Sequence, residues 1–89
     1  MQANYTNQIR VFLEETEVVL DIKYDNSKGV THATKTFEAK MFKRIPNIDG
    51  SYQYDELPSY FVENKPIKKM ARKLIYEDRR GRLEQGMPI

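Results

Sequence analysis

The chain has 89 residues, of which 39% are hydrophobic and 31% charged, with a net charge of +2 and no cysteine. This length allows one hydrophobic core, so residues 1–89 are predicted to form a single small domain. The lack of cysteine excludes a disulfide scaffold, a thiolate metal site and a cysteine nucleophile.

Membrane insertion and secretion are not expected for this sequence. Its apolar runs are no longer than three residues, far short of the length that spans a bilayer. The amino terminus is polar and has no apolar core of the kind found in signal peptides. We therefore expect a cytoplasmic protein without membrane contact.

Two strands are predicted near the amino terminus, over residues 8–14 and 17–24. Apolar residues occupy every second position in both segments, which is the period of a strand with one buried face. A helix over about residues 8–20 would also align several apolar side chains, but the β-branched pair Val18 and Val19 favours strands. The residues predicted to face the core are Ile9, Val11, Leu13, Val18, Leu20, Ile22 and Tyr24.

A third strand is predicted over residues 30–44. Residues 25–29 read Asp-Asn-Ser-Lys-Gly, a composition that favours a tight turn, and a β-hairpin with strand 17–24 follows. His32 would lie on the polar face, without the partner and pocket that a general base requires. The residues predicted for the inward face are Ala33, Phe37, Ala39 and Met41.

A long tyrosine-rich loop is predicted over residues 46–60, because Pro46 ends the strand and polar residues follow. Loops of this length in small domains often bind a partner or move. Tyrosine is enriched in binding hot spots, so Tyr52, Tyr54 and Tyr60 are candidate partner-binding residues. The alternative is that some of these rings close the open end of the core.

A carboxy-terminal helix is predicted over about residues 65–80, packed on one face of the sheet. Asn64 is a favourable N-cap residue, and Pro66 falls in the first turn, where proline is tolerated. Gly81 is expected to end the helix and to leave residues 82–89 as a frayed tail. The apolar residues that recur at helical spacing are Ile67, Met70, Ala71, Leu74 and Ile75.

This helix carries most of the positive charge. Residues 65–82 contain eight basic and two acidic residues, a net of +6, whereas residues 1–64 have a net of −3. A cationic surface gains free energy by releasing counterions from phosphates, so nucleic acid is a candidate partner. An acidic protein surface and a merely solvated helix face are the alternatives. The candidate contact residues are Lys65, Lys68, Lys69, Arg72, Lys73, Tyr76, Arg79 and Arg80.

Acidic residues gather in the first hairpin and give the chain a charge dipole. This polarity favours self-association, for example as a homodimer. Ordinary solubility is the alternative reason for these charges. The acidic residues are Glu14, Glu15, Glu17, Asp21 and Asp25.

Catalytic and metal-binding motifs are missing from the sequence. It has no glycine-rich phosphate loop and no serine in a nucleophile-elbow setting. Residues 47–56 resemble the latter part of a calcium-binding loop, but the first ligand position would be Ile45, which has no oxygen ligand in its side chain. We predict that the protein is not an enzyme and takes no metal, cofactor or small-molecule substrate.

The predicted fold class is α+β, with a small antiparallel sheet of about three strands and an amphipathic helix on one face. The predicted function is that of a non-catalytic binding or regulatory protein, which contacts nucleic acid or a nucleoprotein complex through its basic helix. The alternative is an adaptor or inhibitor of the phage or mobile-element type. Such a protein would dock on a partner protein through the loop tyrosines and the basic helix.

Overall fold

The computed structural model describes residues 6–13 and 16–84, with residues 83 and 84 described by their backbone alone. A single 3-10 turn, Ser59–Phe61, precedes the last helix. The strands and helices in chain order are β1 (Thr6–Phe12), β2 (Val18–Asp25), α1 (Val30–Ala33), β3 (Glu38–Pro46), β4 (Tyr52–Glu56) and α2 (Lys65–Glu84).

The strands form one antiparallel sheet in the order β1-β2-β3-β4. Ile9 lies opposite Ile22, Ile22 lies opposite Ala39, and Arg44 lies opposite Tyr54. Each strand therefore pairs with the next along the chain, and β1 and β4 form the two edges. The α+β class and the strands over residues 8–20 are confirmed, but the sheet has four strands where about three were predicted.

The core lies between α2 and one face of the sheet. Of the predicted inward residues of β2, Leu20 and Ile22 are fully inaccessible to solvent and Tyr24 is buried. Ala71 and Ile75 of α2 are equally inaccessible, so the helix packs with its apolar stripe inward, except that Met70 is exposed, contrary to the prediction. The partly buried residues that complete the core include Ile9, Leu13, Val18, Phe37, Ala39, Ile67 and Leu74.

Helix α2 begins where the sequence predicts. The Oδ1 atom of Asn64 accepts a hydrogen bond from the backbone N–H of Ile67 at 2.9 Å, which satisfies one of the free donors of the first turn. The Nδ2 atom of Asn64 donates to the carbonyl of Phe61 at 2.7 Å. Asn64 therefore caps the helix and fastens it to the preceding 3-10 turn.

The predicted end of the helix was wrong, because α2 continues through Gly81 to Glu84. Glycine ends a helix where the backbone turns left-handed, and the glycines with positive φ are Gly29 and Gly50. In addition, the guanidinium of Arg82 donates to the carboxylate of Asp78 one turn earlier, at 3.1 Å, which supports the final turn. The rest of the predicted frayed tail, residues 85–89, lies outside the described residues.

The predicted strand over residues 30–44 was wrong in its first half. Residues Val30–Ala33 form α1, and β3 begins only at Glu38. Gly29 has a φ of 91°, and the hydroxyl of Thr34 donates to the carbonyl of Val30 at 2.9 Å. This side-chain bond competes with strand pairing and stabilises the helical turn.

Strands β2 and β3 are neighbours as predicted, but a longer connection that contains α1 joins them. His32 therefore lies in this short helix, half-buried, and not on a strand face. Ala33 is fully buried against the core. Its side chain faces inward as predicted, although the backbone around it is helical.

The predicted loop over residues 46–60 also contains regular structure, namely β4 and the 3-10 turn. The connection between β3 and β4 is short: the N–H of Asn47 donates to the carbonyl of Ser51 at 2.8 Å. The carboxylate of Asp49 accepts hydrogen bonds from the backbone N–H and hydroxyl of Ser51 at 3.0 and 2.6 Å. This segment is a β-hairpin and not an open loop.

Neither of the described helices has the length and apolar character that crossing a lipid bilayer requires.

Candidate functional site: a basic helix face and an aromatic sheet face

One arc of α2 carries a row of exposed cations, here called the basic stripe: Lys65, Lys68, Lys69, Arg72 and Lys73. At about 100° per residue, these side chains and that of Tyr76 fall within an arc of roughly 140°. The buried Ala71 and Ile75 lie just beyond one end of this arc, and the rest of the arc points away from the core. Packing against the sheet therefore leaves all of these predicted contact residues exposed to solvent.

The charge of the basic stripe is not compensated within the described part of the chain, where no carboxylate forms an ion pair with its members. The first turn of α2 contains no acidic residue, although the helix dipole favours negative charge there. Like charges three and four residues apart repel, at about 0.2–0.5 kcal/mol per pair. The row thus reduces the stability of the helix that carries it, which is a common property of functional surfaces.

The two arginines predicted for the far end of this surface differ in their surroundings. Arg79 is half-buried, and its Nη1 atom donates to the backbone carbonyl of Asn26 at 3.1 Å. That bond fastens α2 to the segment that follows β2. Arg80 lies exposed on the same arc as the basic stripe. Arg79 therefore has a structural contact. The exposed surface extends along the helix through Tyr76 to Arg80.

A polar network under α2 fixes which side of the helix faces out. The hydroxyl of Tyr24 donates to the carboxylate of Asp78, and it accepts a hydrogen bond from Nδ2 of Asn7 at 3.1 Å. Burial raises the pKa of the Tyr24 hydroxyl, and the bond to Asp78 raises this pKa further. The same carboxylate raises the pKa of Arg82.

Sequence reasoning missed this network, although one signal was present. Asp78 follows Leu74 and Ile75 at helical spacing, so it lies on the apolar side of an otherwise basic helix. An acidic residue on the buried side of a helix requires a partner there. The partner hydroxyl comes from Tyr24, which was predicted only as an inward-facing core residue.

The face of the sheet opposite α2 carries a cluster of arginine and aromatic side chains. Met41 of β3 faces the helix, so the even-numbered residues of β3 face the other way. Their partners on β4, which are also even-numbered, share that face. The guanidinium of Arg44 lies between two rings, 4.3 Å from the ring centre of Phe12 and 4.2 Å from that of Tyr52. We call Arg10, Phe12, Arg44, Tyr52 and Tyr54 the arginine–aromatic cluster.

Arg10 connects this cluster to a buried carboxylate. Its guanidinium lies 5.8 Å from the ring centre of Tyr54 and 3.2 Å from the carboxylate of Asp21. Asp21 also accepts two bonds from Nε2 of Gln8 at 2.9 and 3.0 Å. The positive charge of Arg10 is thus matched on the sheet face, unlike the charges of the basic stripe.

The predicted loop tyrosines do not form one surface. Tyr52 and Tyr54 belong to the arginine–aromatic cluster, and each is about half exposed. Tyr60 lies in the 3-10 turn, where its ring stacks on Phe61 with centres 4.4 Å apart. A partner that contacts Tyr52 and Tyr54 therefore meets the sheet face and not the basic stripe.

The predicted acidic patch is not a single surface within the described residues. Glu14 and Glu15 lie outside them, and Asp21 is buried and bonded to Arg10. Asp25 accepts a hydrogen bond from the N–H of Ser27 at 2.8 Å, which lowers its pKa. The bonds from Ser51 likewise lower the pKa of Asp49. Of the predicted patch, Asp21 and Asp25 thus have local structural contacts, and Glu17 is exposed.

No group of three or more potential metal ligands occurs among the residues that the structure describes. No protein-family model matches the chain, and neither a curated protein nor a solved structure is similar to it at a significant level. The functional interpretation therefore rests on the chemistry of the basic stripe and of the arginine–aromatic cluster.

Proposed function

We propose that this chain is a non-catalytic cytoplasmic protein that binds nucleic acid, alone or within a nucleoprotein complex, through the basic stripe of α2. The observation that carries the proposal is a row of five exposed cations without ion-pair partners among the described residues. Releasing counterions from phosphates gives such a row favourable binding free energy. The repulsion that destabilises the free helix is relieved at the same time.

The dimensions of this surface suit a phosphate backbone. At a rise of about 1.5 Å per residue, residues 65–80 extend over roughly 22 Å. Double-stranded DNA carries one charge per about 1.7 Å of its axis, so every cation of the stripe has a phosphate within reach. Such contacts set affinity and orientation but do not read sequence. Tyr76, exposed on the same arc, supplies a ring for stacking on an unpaired base.

Composition favours a phosphate partner over an acidic protein surface. Four of the five cations in the stripe are lysines. Lysine is depleted in protein–protein interfaces, where arginine is preferred for its planar fork of donors. Flexible ammonium groups suit a partner whose charges are closely and evenly spaced.

The proposal is tested by removing charge at two different places. The variant Lys68→Gln/Lys69→Gln/Lys73→Gln removes three charges from the stripe, and Lys23→Gln/Lys28→Gln/Lys43→Gln removes three exposed charges elsewhere. With labelled duplex and single-stranded oligonucleotides at about 50 mM salt, the stripe variant should lose most of its affinity and the control should keep it. Equal losses of affinity in the two variants would show that net charge, and not the position of the basic stripe, determines binding.

A second candidate is an adaptor or inhibitor that docks on a protein through the arginine–aromatic cluster. Tyrosine and arginine are the residue types enriched in binding hot spots, and the exposed rings of Tyr52 and Tyr54 lie here beside Arg44 and Arg10. Capture from a nuclease-treated lysate tests it. The variant Tyr52→Ala/Tyr54→Ala should lose a partner that Tyr60→Ala keeps. If both variants keep the partner, the arginine–aromatic cluster is not the docking site.

A further inference from the structure

Among the described residues, no strand pairs with the outer edge of β4, where the backbone groups of every second residue point outward. The N–H of Leu57 donates to the carbonyl of Met41 at 2.8 Å, and the N–H of Asn47 donates to that of Ser51 at 2.8 Å. Hydrogen-bonded pairs alternate along an antiparallel ladder, so the odd-numbered residues of β4 bond to β3. The residues that direct their N–H and carbonyl groups to the free edge are Tyr52, Tyr54 and Glu56.

This edge is short and carries Asp55 and Glu56, but it lacks other features that discourage strand addition. Lysine, proline and bulges protect edge strands, and β4 reads Tyr-Gln-Tyr-Asp-Glu with regular pairing to β3. All five of its residues are exposed. The carboxylate of Glu56 is partly offset by Lys40 at 3.8 Å.

The sequence of β4 is complementary to itself in one antiparallel register. With Tyr54 opposite Tyr54 of a second copy, Gln53 faces Asp55 of that copy. The Gln53 amide donates to Asp55 of its own chain at 2.8 Å, and its second N–H can donate to the facing carboxylate. Tyr52 then faces Glu56 of the second copy, and no two like charges are opposed. If the two-fold axis moved by one residue to position 55, Asp55 would oppose itself, which is destabilising. If it moved to position 53, Gln53 would oppose itself.

We propose that two copies of the chain pair through β4 across a two-fold axis at Tyr54, forming one eight-stranded antiparallel sheet. The interface is isologous, and its hydrogen bonds come from backbone groups of β4 that have no strand partner within the described part of one chain. Strand addition of this kind is a common mode of recognition between proteins. The proposal does not depend on nucleic-acid binding.

An exposed apolar residue at the tip of the β3–β4 hairpin also supports a second copy of the chain as the partner of β4. Ile48 is fully exposed to solvent, an unfavourable position for a large aliphatic side chain. In the proposed register, this tip extends past Glu56 of the second copy toward the segment that carries Tyr60 and Phe61. That exposed aromatic pair offers Ile48 an apolar contact which the single chain lacks.

The two-fold axis also sets where the helices lie. Because it is perpendicular to the sheet, both copies of α2 lie on one side and both arginine–aromatic clusters on the other. With strands about 4.8 Å apart, and with α2 over the β1 side of each sheet, the two helices lie roughly 25–35 Å apart. The dimer would present two cationic surfaces on a single side, and its two α2 helices would run antiparallel.

Oxidative cross-linking tests the register directly, since the chain has no cysteine of its own. In Tyr54→Cys the two introduced residues would lie opposite each other at a Cα separation of about 5.5 Å, within the range of a disulfide. We expect this variant to form covalent dimers at least about ten times faster than Lys69→Cys, whose position is also exposed. Equal rates for the two variants would overturn the proposal.

Sedimentation over a series of protein concentrations tests the backbone contribution. The natural chain should approach twice its single-chain mass of 10.6 kDa. Tyr54→Pro removes an N–H that points away from β3, so it should keep the monomer folded and abolish the dimer, whereas Tyr54→Ala should still dimerise. If Tyr54→Pro does not fold, Gln53→Asp, which opposes two carboxylates, takes its place. A single-chain mass for the natural protein at every concentration, or undiminished pairing in the disrupting variant, would refute the β4 interface.

Discussion

The hydroxyl of Tyr24 on β2 donates a hydrogen bond to the carboxylate of Asp78 on α2, two residues that are 54 positions apart in the chain. Asn7 of β1 donates to the same hydroxyl and Arg82 to the same carboxylate. The bond fixes the rotation of α2 about its own axis. Because the basic stripe lies on the other side of this helix, the buried network also determines that the cations face solvent.

Removing this hydroxyl should destabilise the fold. Tyr24→Phe leaves Asp78 with Arg82 and deprives the amide of Asn7 of its acceptor. A buried polar group that loses its partner costs about 1–3 kcal/mol, so the free energy of unfolding should fall by that amount in urea denaturation at neutral pH. Tyr60→Phe, at an exposed position, should change it by less than about 0.5 kcal/mol. Equal changes in the free energy of unfolding for Tyr24→Phe and Tyr60→Phe would show that the network contributes no stability.

Stability should also decrease at alkaline pH because of the same residue. The folded-state pKa of Tyr24 is raised by burial and by the bond to Asp78, above a value of about 10 for an unfolded tyrosine. The folded state therefore holds this proton more tightly, and the resulting stability is complete below about pH 10 and declines as pH rises above it. Urea denaturation between about pH 8 and 11 should show a steeper decline for the natural protein than for Tyr24→Phe. The same decline with pH in both proteins would contradict the assignment of this pH dependence to Tyr24.

The orientation of α2 can be checked with two substitutions on the same helix. Ile75 is fully buried, whereas Met70 is 39% exposed. Ile75→Ala should reduce the free energy of unfolding by about 2–5 kcal/mol, because it removes methylene groups from a packed core, and Met70→Ala should cost clearly less. The reverse order in thermal or urea denaturation would mean that a different side of α2 faces the sheet.

The elements that sequence reasoning predicted well are those whose pattern is local. β2 alternates from Leu20 to Tyr24, and its inward residues Leu20, Ile22 and Tyr24 are the most buried of the strand. The apolar stripe of α2 and its cap at Asn64 are likewise readable within a few turns of chain. One-sided burial imposes a period of 2 or 3.6 on the residues themselves, so such segments can be recognised without knowledge of their neighbours.

The elements that were missed depend on distant contacts. β4 is exposed on both faces, so it has no buried face to impose a long alternation of apolar and polar residues, and its extended structure comes from pairing with β3. The error at α1 has a different cause. Ala33 and Phe37 are spaced four apart, which fits a helical turn as well as a strand, and the hydroxyl of Thr34 favours the turn.

The candidate surfaces also differ in whether a local sequence pattern or contacts between distant residues define them. The exposed cations of α2 were predicted from helical spacing, except that Arg79 bonds to the backbone of Asn26. The arginine–aromatic cluster was not predicted, because it joins Phe12, Arg44 and Tyr52 from three different strands. The register that brings them together is set by pairing along the whole sheet.

The basic stripe should make stability depend on salt. Lys69 has like-charged neighbours at Lys65, Arg72 and Lys73, and each such pair costs about 0.2–0.5 kcal/mol. Lys69→Gln should therefore raise the free energy of unfolding by about 0.5–1.5 kcal/mol at low salt, and the gain should shrink as ions screen the repulsion. Lys28→Gln, outside the helices and strands, should show no such gain. A destabilising effect of Lys69→Gln would mean that Lys69 has a favourable structural contact.

The salt dependence of nucleic-acid affinity tests the central claim most directly. If the stripe and its extension to Arg80 neutralise five or six phosphates, log affinity for a DNA duplex should fall with log salt concentration at a slope of about −5. The variant Lys68→Gln/Lys69→Gln/Lys73→Gln should bind more weakly, with a slope of about −2 to −3 in fluorescence anisotropy titrations. No binding by the natural protein at micromolar concentration and about 50 mM salt, or an unchanged slope in the variant, would contradict the assignment of this surface.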